Sequence, residues 1–195
     1  MVNFFKKDNW SFYQIKGQPL LQMGFQGKNG QFTCYARARE NEQQFVFYSI
    51  CPVTVPKAKR RALAEFIARA NYGMVIGNFE LDFAEGEIAD KTSIDVEGST
   101  LTFSQMKRLV DTNVAMMDHY LPGIKSVIQG DASPEEAILQ TGSTNFFESV
   151  LAIGWGLLRG HSRELLDANL VGYRTSILTL DRTDDRSLTR SQRTT

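Results

Sequence analysis

Seven acidic residues fall close together in this chain: Glu80, Asp82, Glu85, Glu87, Asp90, Asp95 and Glu97, with Lys91 the only base among them. Clustered carboxylates can hold a divalent cation or work as a general acid–base pair. Their spacing argues against both. They alternate with apolar residues, as on the solvated face of a sheet, and the calcium-loop pattern Asp-x-Asp-x-Asp-Gly is absent. A solvated or partner-facing surface is expected, with Glu80 and Asp82 as its contact candidates.

Positive charge concentrates at Lys57, Lys59, Arg60 and Arg61, where a helix is expected to start. The free N–H groups of a helix N-terminus attract phosphate. Here no glycine-rich loop precedes them, and bases at this end oppose the helix dipole. Aromatic residues for base stacking are missing from the same turn. Lys59 and Arg60 are expected on a solvated face, facing a partner or the acidic hairpin.

Other catalytic chemistry is thin. His119 sits beside Asp118 in an expected helix, where sequence neighbours do not face each other, and His161 lies far away. Cys34 and Cys51 lack the CxxC spacing of a redox pair and, with two histidines, give no zinc spacing. A Ser/His/Asp set could be drawn only arbitrarily. No catalytic residue, no metal ligand and no cofactor is expected.

The elements that must position these residues follow from local rules. The 195 residues suit one domain with an extension, and 42% hydrophobic content is enough for a core. Lysine plus arginine equals aspartate plus glutamate, 22 of each, so no global field favours nucleic acid or an anionic membrane. Met1-Val-Asn-Phe-Phe-Lys-Lys has the wrong order and length for a secretory leader. The longest apolar-rich run, Phe146 to Leu158, falls short of the roughly 20 residues of a membrane span. The cytoplasm is the expected compartment.

The first half reads as an antiparallel meander of four strands. Trp10 to Lys16 is aromatic-rich, Leu21, Met23 and Phe25 alternate with polar or small neighbours, and Gly27-Lys-Asn-Gly30 marks a turn. Phe32, Cys34, Ala36 and Ala38 share one face of the third strand. Gln44 to Ile50 is apolar on both faces, Phe45 and Phe47 against Val46, Tyr48 and Ile50. Such a strand belongs inside a covered sheet or at a partner surface, which makes Phe45, Phe47 and Tyr48 binding candidates.

Pro52 and Pro56 end the meander, and Pro56 suits the first position of a helix expected over Lys57–Tyr72, with Gly73 as its cap. Phe79, Leu81 and Phe83 start a hairpin that turns at Ala84-Glu-Gly86 and continues through Ile88, Thr92, Ile94 and Val96. Thr102 with Gln105 resembles a capping box opening a long helix, which Pro122-Gly123 is expected to kink or interrupt. Ser133-Pro-Glu-Glu136 opens another. Beyond it, Phe146 to Leu158 and His161 to Leu170 could be helical. Thr183 to Thr195 reads as disordered.

Three stretches carry a family resemblance: Cys51-Pro-Val-Thr-Val-Pro, Asn71-Tyr-Gly-Met-Val-Ile-Gly-Asn-Phe-Glu-Leu-Asp-Phe and Lys91-Thr-Ser-Ile-Asp-Val. Phe25-Gln-Gly, Phe32-Thr-Cys-Tyr-Ala, Tyr120-Leu-Pro-Gly-Ile and Ser133-Pro-Glu-Glu-Ala extend it. Together they resemble the YbjN domain family, most of all its cyanobacterial branch, over about residues 1–140. The resemblance implies an α+β fold similar to type III secretion chaperones, with a strand meander, a helix, a β-hairpin and C-terminal helices. It implies a regulator of sensory transduction without an established enzymatic activity, and no catalytic residues carry over. Residues 141–182 are expected to be a C-terminal extension and 183–195 a disordered tail. The expected function is a non-enzymatic protein- or peptide-binding module, chaperone-like or regulatory. The alternatives are a self-associating homodimer and a metal- or small-molecule-dependent enzyme using the hairpin over residues 80–97.

Overall fold

The computed structural model describes residues 1–142. Alternation of apolar and polar residues on β2 and β3, with a strand apolar on both faces at β4, builds its centre, a six-stranded antiparallel sheet in the order β1-β2-β3-β4-β6-β5. The strands are β1 (Tyr13–Gln14), β2 (Leu20–Gln26), β3 (Gln31–Arg39), β4 (Gln44–Ile50), β5 (Asn78–Leu81) and β6 (Ile88–Asp95). The helices are α1 (Val2–Lys7), α2 (Arg60–Gly73), α3 (Phe103–Gln129) and α4 (Pro134–Thr141).

The register divides the sheet into two faces. Met23, Cys34 and Ser49 lie on the inner face, as do Ala36, Phe47 and Thr92, and all are buried. Against them pack α3, α2 and α4, with Leu63, Phe66, Val110, Met117, Leu121 and Ile124 wholly inside. On the outer face, Gln22, Tyr35, Tyr48, Lys91 and Asn78 form one row across five strands. Phe45 and Phe47 are 2% and 0% exposed, while Tyr48, of the opposite parity, points to the outer side and is half-buried.

Several local expectations meet the fold directly. Both capping boxes form, Thr102 with Gln105 and Ser133 with Glu136. The basic helix begins as a short 3-10 turn, Lys57–Lys59, and continues as α2. Residues 146–158, 161–170 and 183–195 lie outside the described residues.

One element is new, and three expectations are corrected. The N-terminal residues form α1, whose Phe4 and Phe5 are buried; Phe5 stacks on Phe47 at 6.1 Å between centroids. Six residues are too few to stand alone as a helix, so packing rather than propensity makes it. The first strand shrinks to Tyr13–Gln14, because Trp10 is drawn onto Phe25 and the Asp8 carboxylate accepts its indole N–H. Helix α2 ends at an extended Met74 rather than at a left-handed Gly73. Finally, α3 runs unbroken through Pro122.

The last correction has a specific cause. A proline inside a helix cannot donate to the carbonyl four residues back, here that of Asp118. Asn29, in the β2–β3 turn, supplies the missing donor: its side-chain N–H reaches the Asp118 carbonyl at 2.9 Å. On the next residue, a Cβ at Gly123 would stand 2.8 Å from Phe66 Cζ, so a glycine lets α2 and α3 close. The Pro122-Gly123 pair is a packing device.

Candidate functional site

Two carboxylates of the hairpin, Asp82 and Asp95, are held by backbone N–H groups. Asp82 Oδ1 accepts from the N–H groups of Ala84 at 2.6 Å and Glu85 at 3.2 Å, fixing the β5–β6 turn. Asp95 accepts from Gln44 at 2.9 Å and from the Glu97 N–H, and these bonds hold its carboxyl below the usual range. Glu80 pairs with Lys91 across the strands on the outer face. Among the described residues no three His, Cys, Asp or Glu side chains converge where a metal ion could sit.

The bases follow the same logic. Arg60 does turn to the hairpin, but toward carbonyls rather than carboxylates: it donates to Val55 at 3.2 Å, Phe83 at 2.8 Å and Ala84 at 3.0 Å. It buckles the start of α2 to the β5–β6 turn. Lys59 points to the far end of α3, its Nζ standing 2.9 Å from where a Cβ on Gly130 would be. A cation there complements the negative end of the helix dipole.

The seven residues singled out from sequence thus divide. Phe45 and Phe47 are core side chains, closed to a partner in this fold. Asp82 and Arg60 hold a turn, and Lys59 meets a helix end. Tyr48 and Glu80 remain on the outer face. There, Arg39, Gln44, Val46, Tyr48, Lys91, Ser93 and Asp95 line an open depression of about 270 Å3 together with Ile94. Tyr35 and the exposed Arg37, absent from the sequence-based candidates, sit beside it on β3. Their parity with Arg39 was the available signal.

One acid departs from the solvated pattern. Asp90 is opposite Ser49 and Phe79 in register and 0% exposed. It shares its parity with Ile88, Thr92 and Ile94, the signal that would have placed it inside. Around it lies a buried polar node. Ser49 donates to Asn113 Oδ1 at 2.6 Å, Asn113 donates to the Asp90 carbonyl at 2.9 Å, and Thr92 donates to the Leu109 carbonyl at 3.1 Å. Neither carboxylate oxygen of Asp90, nor the Tyr120 hydroxyl, has a hydrogen-bond partner. Burial pushes the Asp90 carboxyl well above its ordinary range; the nearby Lys91 N–H tempers this without reaching hydrogen-bond geometry.

The thiols offer no reactive centre. Burial pushes Cys34 up to about 12 and Cys51 up to about 11, which keeps both protonated and inert at neutral pH. No helix among the described residues is long and apolar enough to cross a membrane.

No curated protein matches the chain. Among solved structures, the crystal structure of YbjN from E. coli, "a putative transcription regulator", is similar at 12% identity and a TM-score of 0.47, covering 67% of this chain and 87% of that one. The HopA1-SchA chaperone-effector complex includes a chain similar at 13% identity and a TM-score of 0.45, covering 62% and 88%. A family model described as "Putative bacterial sensory transduction regulator" matches residues 2–126, and with that match the chain belongs to the YbjN family.

Proposed function

We propose that this protein is a non-enzymatic protein- or peptide-binding module with a regulatory or chaperone-like role, working through the outer face of its sheet. The observation that carries the reading is the contrast in side-chain use. On the hairpin and on α2, Asp82, Asp95 and Arg60 are engaged in holding backbone, and Glu80 is paired with Lys91. The outer face instead presents Tyr35, Tyr48, Ile50 and Arg37, with no described element packed over it. Tyrosine and arginine supply large contact areas with polar tips and are enriched at interfaces. The family's description as a regulator supports the reading, and two buried free thiols suit a cytoplasmic setting.

The test is crosslinking and affinity capture from native lysate with wild type, Tyr48→Asp and Arg37→Glu, with melting curves alongside. The reading expects a discrete partner with wild type that both variants lose while they melt as wild type does. Equal capture by all three proteins, or none above background, removes it.

A further inference from the structure

A buried carboxylate without a partner is rare in folded proteins, since the ionised form gives up its hydration for nothing. Asp90 is such a group, and it sits under a thin cover. Gly77, half-buried in the connector between α2 and β5, has φ +85°, and a Cβ there would lie 3.4 Å from Asp90 Oδ1, 2.8 Å from Thr92 Cγ2 and 3.0 Å from the Lys91 carbonyl. The Gly77 backbone therefore lies directly against the carboxylate, an approach that glycine permits. Within the connector, Val75 is 71% exposed, while Met74 and Ile76 on either side of it pack against the core.

The titratable groups that face Asp90 supply no countercharge. They are Cys34 on β3 and Tyr120 on α3, whose neighbour His119 lies beside its ring; Glu80, on the opposite face of β5, acts on Asp90 only through its charge. Glu80 and Cys34 add only negative or neutral character, burial keeps His119 below its ordinary value, and Lys91 is committed to Glu80 on the other face. Ser49 and Asn113 spend their hydrogen bonds on each other and on main-chain carbonyls.

We propose that Asp90 is a proton-operated latch: uncharged, it lets the α2–β5 connector close over it, and on losing its proton it forces that connector to open to water. The closed form holds the proton more tightly than the open form, so opening is linked to proton release. Between the ordinary aspartate value of 3.8 and the raised value in the closed form, the open population rises by up to about tenfold per pH unit. Above that window it levels off.

The experiment uses the full chain and two readouts: carboxyl NMR titration of Asp90, and amide hydrogen exchange corrected for its intrinsic pH dependence. The latch expects the Asp90 resonance to titrate well above 3.8. It also expects protection at residues 74–81 to fall with rising pH in wild type, to stay flat in Asp90→Asn, and to change less on β2 and β3. An Asp90 resonance that titrates at the ordinary aspartate value overturns it. So does parallel protection in both proteins, or an equal loss over the whole sheet. Should Asp90→Asn fail to fold, the wild-type titration and the contrast between residues 74–81 and β2–β3 still decide.

Discussion

Two buried aspartates lie where helix α3 meets the sheet, Asp118 on the helix and Asp90 on β6, and they are built in opposite ways. At the β2–β3 turn, Asp118 is 2% exposed and its carboxylate accepts the N–H groups of Lys28 at 3.1 Å and Asn29 at 2.7 Å. The Asn29 side chain returns a bond to its main-chain carbonyl. At the β5–β6 hairpin, Asp90 is 0% exposed and both of its oxygens are unpartnered. The same side chain is a fastener in one place and a strain in the other. What decides is whether the neighbouring backbone offers donors: a turn points its N–H groups outward, whereas the middle of a strand has spent its own on the ladder.

The largest expected effect tests the fastener. Asp118→Ala removes two charge-assisted bonds to part-buried donors, which should cost about 2 kcal/mol in urea denaturation. A loss well under 1 kcal/mol would mean the clasp is decorative. The strained partner should behave in reverse. Asp90 has a raised value in the folded state, so the stability it permits is fully present below the unfolded value of 3.8 and is lost as pH rises through the folded one. Asp90→Asn should thus be more stable than wild type at pH 8 by about 1–2 kcal/mol, with the gap closing toward acid. A constant gap across pH would break the contrast.

Smaller effects sharpen the account of Pro122. Asn29→Ala should cost about 1 kcal/mol by exposing the Asp118 carbonyl without a donor. In a Pro122→Ala background, where a backbone N–H is restored, the same substitution should cost less; a double-mutant cycle reads the difference. At the edge strand, Asn71 both accepts from the Phe79 N–H at 2.8 Å and donates to its carbonyl at 3.0 Å, acting as a one-residue strand partner. Asn71→Ala should cost about 1 kcal/mol and expose that edge to pairing, seen as concentration-dependent sedimentation. Least of all, Tyr48→Asp should shift stability within about 0.5 kcal/mol, because the residue faces outward.

The local grammar of this chain is legible in its residues. Alternation marks the strands, the two capping boxes mark helix starts, and Asn-Gly marks the β2–β3 turn. The site is less legible. Phe45 and Phe47 suggest a partner surface because a strand apolar on both sides does not say which side is covered. Asp90 groups with the solvated acids by charge and proximity, although its parity with Ile88 and Thr92 places it inside.

By itself the sequence determined period, caps, turns and family, because each of these depends on residues within a few positions of one another. Only the tertiary structure decided that Pro122 sits in an unbroken helix, that Arg60 buckles a turn and that one acid in seven is buried. Each of those outcomes depends on a donor, or on a missing one, supplied from far along the chain: Asn29 meets Asp118 across 89 residues, and no donor meets the Asp90 carboxylate. Hydrogen-bond partners at such range are chosen by packing, which no local pattern encodes.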